Sequence, residues 1–268
     1  MTFCVGMRVE GGLVGIADTL ITSGRECIKA SKLTVYEGNG YSLFLMTSGL
    51  RSVRDKALTY FDEVFSKKKS SFDRLYKVVN ALADQVRKVA DEDREALEKG
   101  GLAINMHCVI GGQMKNDAEH MLYLLYPEGN WVEVSKGTPY QIIGSSTYGK
   151  PVIDRTLKYT DAMSYALKVG CLAFDSTRIS ASDVDFPIDV VLYRKDSFQF
   201  IEHRFEKQDL EEITRWWQER LRGSIDLLPA TSLEGILDKL NDVGPRKRPS
   251  RASAKPKAKP KAKQKARR

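Results

Sequence analysis

Thr2-Phe3-Cys4-Val5-Gly6-Met7-Arg8-Val9-Glu10-Gly11-Gly12-Leu13-Val14-Gly15-Ile16-Ala17-Asp18 is the stretch whose reading decides the fold. Phe3 to Val9 predicts a strand, Gly11 and Gly12 a reversal, and Leu13 to Ala17 a second strand that ends on Asp18. Thr2 stands directly after Met1, and a residue this small lets a methionine aminopeptidase expose it as the new N-terminus. A free threonine brings a hydroxyl nucleophile together with its own base, because an α-amine titrates near ~7.7–8.0 and can take the hydroxyl proton near neutral pH.

After Asp18, the polar run Thr22, Ser23, Gly24 and Arg25 reads as a loop, and Lys32 to Tyr36 as a third strand. The turn Glu37-Gly38-Asn39-Gly40 then leads into a largely apolar strand, Tyr41 to Ser48. Two helical patterns follow. Val53, Ala57, Leu58, Phe61, Val64 and Phe65 form one, and Phe72, Leu75, Val78, Val79, Leu82, Val86 and Val89 the other, with Lys67, Lys68 and Lys69 in a solvated connection.

The middle of the chain predicts strands at Leu102 to Ile110, His120 to Leu125, Trp131 to Ser135 and Tyr140 to Ile143, with Gly111 and Gly112 ending the first. One helix is expected from Pro151 to Phe174, then strands at Ile188 to Tyr193 and Phe198 to His203. Helices at Asp209 to Leu221 and Ser232 to Leu240 complete the body. Hairpin-linked strands argue against a parallel doubly wound sheet, which would alternate strand and helix one by one. The expected fold is α+β: two antiparallel sheets face to face with helices outside, a four-layer αββα sandwich. It is expected to span residues 1–244, followed by a disordered basic tail at 245–268.

The formal charge of +8 belongs to that tail. Pro245 to Arg268 holds twelve Lys or Arg and no acid, which leaves 31 basic against 35 acidic residues in the body. The tail's Lys-Pro-Lys-Ala repeats suit weak, salt-dependent contact with nucleic acid or another anionic surface, or else a spacer; they offer no aromatic side chains to stack on bases. Cys4, Cys27, Cys108 and Cys171 show no metal or redox spacing and read as reduced core thiols in a cytoplasmic protein. No metal and no cofactor is implied. No apolar run approaches the roughly 20 residues that span a bilayer, and no secretory signal precedes Thr2, so no membrane partner is expected.

Several stretches in order carry a resemblance. They are Thr2 to Gly6, Gly15-Ile16-Ala17-Asp18-Thr19, Lys32 to Glu37, Gly144-Ser145-Ser146-Thr147-Tyr148-Gly149-Lys150-Pro151, and Phe174-Asp175-Ser176-Thr177 followed by Pro187-Ile188-Asp189. Together they resemble the proteasome-type N-terminal nucleophile hydrolases, most of all the bacterial Anbu, or ancestral β-subunit, branch. The resemblance implies Thr2 as nucleophile and Lys32 as the lysine that favours the deprotonated amine and hydroxyl. It implies Asp18 as the partner of that lysine, Gly49 as an oxyanion donor, and Ser145 with Asp175 as a pair bonded to the threonine amine and its water.

Each residue also has a bland reading. Asp18 could cap a turn, Lys32 could be an exposed edge lysine with Lys29 taking its place, and Gly49 could simply end a strand. Ser145 and Asp175 could cap helices. Neither Ser176 nor Ser180 aligns with a further serine of the family. Leu20 stands where proteasome-type subunits commonly carry arginine, which implies a less polar pocket. The expected function is a threonine-type peptidase or amidohydrolase acting on peptide or protein substrate within a self-associated ring or helical assembly. The alternative is a catalytically silent scaffold of the same fold.

Overall fold

A computed structural model describes residues 2–23, 26–229 and 231–241. Two compact units divide the chain, one running to Arg220 and the other beginning at Leu221. In the first, β1 (Phe3–Val9) and β2 (Gly12–Asp18) form the expected N-terminal hairpin, with Cys4 opposite Ala17 and Val9 opposite Gly12. They sit inside a five-stranded sheet in the order β10-β1-β2-β11-β12, where β10 is Tyr140–Gly144, β11 Ile188–Arg194 and β12 Phe200–Phe205. The second five-stranded sheet is β5 (Leu33–Gly38), β6 (Tyr41–Ser48), β7 (His107–Met114), β8 (Met121–Leu125) and β9 (Trp131–Glu133), in that order. Every neighbouring pair in both sheets is antiparallel.

Strand alternation builds the layers. Phe3, Val5, Met7 and Val9 point to one side of β1 and pack with Ile153, Val169 and Phe174 of α3 (Lys150–Thr156) and α4 (Met163–Ser180). Cys4, on the opposite face, joins Leu13, Ala17 and Val191 against Phe44, Met46, Val109 and Leu122 of the other sheet. That second sheet turns Leu43, Leu45, Cys108 and Ile110 outward onto α1 (Arg51–Lys68) and α2 (Leu75–Lys99). The result is helices, sheet, sheet, helices. Phe61 and Phe65 are buried core on α1 with Val64 partly buried beside them, so this stripe belongs to the fold; burying such a side chain stabilises by about 1.5–3 kcal/mol. Cys4, Cys108 and Cys171 are free and buried, and burial raises all three thiols, that of Cys171 to about 11. The side chain of Cys27 lies outside the described residues.

Four expectations are corrected. Thr22 and Ser23 belong to β3 (Leu20–Ser23), which pairs with β4 (Glu26–Lys29), so this segment is a small hairpin; Gly24 and Arg25 lie outside the described residues. The Leu102 strand starts only at His107. Its expected first half is tied back to the helix before it, Leu102 N donating to Leu97 O at 2.9 Å. Gly111 and Gly112 do not break β7; a Cβ on either would strike Phe44 or the β6 backbone, so they permit close packing inside the sheet.

The helix expected from Pro151 to Phe174 is two helices. Leu157 turns extended, and Lys158 N donates to Asp161 Oδ2 at 2.7 Å, a local bond that competes with helix continuation. Lys67 and Lys68 end α1 and stay exposed, followed by a short 3-10 turn, Lys69–Ser71. α5 (Glu211–Asp226) follows a 3-10 turn at Lys207–Leu210, and α6 (Thr231–Asn241) lies within the second unit. The basic tail at 245–268 falls outside the described residues. Among those described, no helix is long and apolar enough to cross a membrane.

Candidate active site

Antiparallel pairing decides which strand ends meet. The start of β1 lies beside the end of β2 and the end of β10, where Phe3 is opposite Gly144. In the other sheet, the start of β5 lies beside the end of β6, and Ser48 there is opposite His107 at the start of β7. The two sheets open at this rim into a cleft of about 610 Å³. Thr2, Lys32, Gly49 and Gly144 line it.

Thr2 is 8% exposed, Lys32 5% and Asp18 0%. Lys32 Nζ donates to Asp18 Oδ1 at 2.7 Å and to Leu20 O at 2.7 Å. The same Oδ1 accepts from Phe3 N at 2.8 Å, so the ion pair holds the peptide next to Thr2. Lys32 is anchored in turn, its carbonyl accepting from Thr47 N at 3.1 Å. Burial raises the Asp18 carboxyl above its ordinary 3.8, working against the pull of Lys32 and of the Phe3 and Leu20 backbone. Lys29 sits exposed on β4, so Lys32 and not Lys29 is the lysine paired with Asp18.

Two glycines shape the cleft. Gly144 has φ +85, and a Cβ there would collide with the carbonyl oxygen of Thr2, which accepts from Ser145 N at 2.6 Å. Gly49 has φ +109 and a Cβ would lie 2.5 Å from Asn105 O; it is a required left-handed turn out of β6. Ser145 is buried directly after Gly144 and does not cap α3, whose N-cap is Gly149. Asp175 is buried within α4 rather than at its end. Its Oδ1 accepts from Arg178 Nη2 and Thr214 Oγ1, both at 2.7 Å, and it does not line the cleft.

Sequence reasoning missed Arg51, Arg54, Asn105 and His107, which line the same cleft as Thr2. Their signal was positional: Arg51 and Arg54 fall in the first turn of the helix that begins just after Gly49. Among the described residues no group of His, Cys, Asp and Glu is arranged to hold a metal ion.

The fold recurs in solved structures. The chain is similar to the Anbu proteins. An Anbu (Gly-1) mutant from Hyphomicrobium sp. strain MC1 superposes with a TM-score of 0.78 at 28% identity, covering 85% of this chain and 99% of that one. Anbu (ancestral beta-subunit) from Yersinia bercovieri gives 0.78 at 28%, covering 85% and 97%. The helical assembly of the Anbu complex from Pseudomonas aeruginosa gives 0.78 at 25%, with the same coverage. No family model and no curated protein matches the sequence. The Anbu likeness agrees with the antiparallel sheets and outer helices, and with the resemblance read from the sequence.

Proposed function

We propose that the chain is a proteasome-like threonine-type peptidase or amide hydrolase, working in the cytoplasm as a self-associated ring or helical assembly. The domain of residues 1–244 carries the chemistry and the tail at 245–268 does not. The observation that supports this best is a buried Lys32–Asp18 pair whose carboxylate also holds Phe3 N, one residue from a threonine that lines the cleft. Helical assembly is the described state of the Pseudomonas aeruginosa Anbu complex, and self-association here rests on that likeness.

In this reading, removal of Met1 frees the Thr2 amine. The amine takes the proton from Oγ1, directly or through water, as the hydroxyl oxygen attacks a substrate carbonyl. Lys32 places positive charge at the base of the cleft, favouring the neutral amine and the deprotonated oxygen, and Asp18 keeps that lysine charged and oriented. The Gly49 N–H donates to the oxyanion, a contact that can be worth about 2.7–4 kcal/mol in barrier height. The tetrahedral intermediate collapses with the proton passing to the leaving amine, giving an ester on Thr2 that water hydrolyses. Ser145 N donates to the Thr2 carbonyl, and Ser145 with Asp175 is the pair that would hydrogen-bond the freed threonine amine and its water.

The test is covalent labelling. Protein shown by intact mass to begin at Thr2 is treated with a peptide vinyl sulfone and digested. An adduct on Thr2 is expected, with none in Thr2→Ala of unchanged assembly size. Absence of an adduct in assembled protein that begins at Thr2 refutes the hydrolase reading and leaves the scaffold.

A further inference from the structure

The cleft's charge is lopsided. Lys32, Arg51, Arg54 and His107 line it, and among the described residues no Asp or Glu does. Lys32 is neutralised from behind by Asp18. Arg51 and Arg54 share a single carboxylate: Asp55 accepts from Arg51 Nε at 3.2 Å and from Arg54 Nη2 at 2.6 Å. One guanidinium charge on that wall is therefore uncompensated by this carboxylate. α1 begins at Arg51 with no acidic residue in its first turn, so the positive end of its dipole adds to the same wall. The same lining also carries the apolar side chains of Leu20, Ile21 and Leu102.

We infer that the cleft selects peptides carrying a carboxylate, an acidic side chain at or beside the residue whose carbonyl is attacked, with Arg51 and Arg54 as the specificity-determining residues. The inference rests on the hydrolase reading for its consequence but not for its test. An acidic side chain meets a guanidinium through charge-assisted hydrogen bonds, where its amide twin offers a neutral acceptor. Such bonds are roughly twice as strong as neutral ones, so a preference of roughly tenfold, about 1.4 kcal/mol, is expected in an open cleft.

Two matched probes test this, acetyl-Ala-Leu-Glu vinyl sulfone and its Gln twin, with fluorescein-labelled Ala-Leu-Glu and Ala-Leu-Gln amides for equilibrium binding to Thr2→Ala. The expected result is labelling of Thr2 and binding to Thr2→Ala both roughly tenfold stronger for the Glu member. The ratio should fall toward one in Arg51→Gln/Arg54→Gln and in high salt, and should rise in Asp55→Asn, which removes the shared carboxylate. Equal behaviour of the Glu and Gln members, or a ratio unmoved by these substitutions, overturns the inference. Failure of both probes to label Thr2, with acid-selective binding intact, would overturn the hydrolase reading alone.

Discussion

Replacing Lys32 by methionine removes the ammonium 2.7 Å from Asp18 Oδ1 and leaves a fully buried carboxylate with the Phe3 and Leu20 backbone as its remaining support. Breaking a buried pair on one side costs about 3–5 kcal/mol, because the surviving charge is uncompensated. At about 2–4 °C per kcal/mol for a body of this size, Tm should fall by roughly 6–20 °C. The deficit should depend on pH with a definite sign. Burial already raises the Asp18 carboxyl, and losing Lys32 removes the first-ranked influence holding it down, so the lone carboxyl escapes its burden by taking a proton. Lys32→Met should therefore approach the parent as pH falls and lose ground as pH rises; a mere packing defect would cost the same at every pH. Asp18→Asn/Lys32→Met carries no buried charge and keeps an acceptor for Phe3 N. It should recover all but ~1–2 kcal/mol, the net loss of a hydrogen bond or two. Thr2 labelling should stay absent in it. Urea unfolding from pH 5 to 8, followed by tryptophan fluorescence, gives the cycle. A Lys32→Met cost below about 1 kcal/mol, a double mutant equal to the sum of the singles, or a pH-independent deficit would refute the reasoning.

Thr2 labelling in the parent should fall as pH drops, first as the Thr2 amine takes a proton and then further through the raised Asp18 value, above 3.8, since protonating Asp18 releases Lys32. The stability contribution of the same group runs oppositely, being fully present below 3.8 and lost as pH rises through the folded value; comparing pH-dependent labelling with urea midpoints separates the two. Gly144→Ala forces a Cβ into the Thr2 carbonyl oxygen at φ +85, and should lower stability by about 1–3 kcal/mol while displacing Thr2, read as a lower Tm and slower labelling.

Much of the framework was legible because hairpins announce themselves. Gly11 and Gly12 between two alternating apolar runs imply β1 beside β2, and Glu37 to Gly40 implies β5 beside β6. Those pairings already bring Thr2 near Asp18 and Lys32 near Gly49. That the two rims face each other depends on the stacking of the sheets, and local pattern holds no information on it. Two of the misread segments share a cause: tertiary contact overrode local preference. Gly111 and Gly112 look like a turn but serve close packing against Phe44 and β6. Residues 102–106 look like strand, yet Asn105 Oδ1 is drawn to Leu50 N at 2.8 Å to hold the base of α1. Asp175 was read from the sequence as Ser145's companion at the threonine amine or as a helix cap; its partners in the structure, Arg178 and Thr214, come from its own helix and from α5, 39 residues on.

Leu20 shows how a departure in sequence can leave the geometry whole. An ammonium has three donors. Lys32 gives one to Asp18 Oδ1 and one to the backbone carbonyl of residue 20, a group that any side chain at that position would supply. Holding the lysine therefore places no demand on the side chain at 20. That side chain is released to line the cleft, and as leucine it adds apolar surface there while the first turn of α1 contributes Arg51 and Arg54. An arginine at 20 would add a further cation to the lining, close to Lys32. With leucine there, the guanidinium charge of the cleft is that of Arg51 and Arg54, so on the proposed reading an acidic side chain entering it would be drawn toward the first turn of α1.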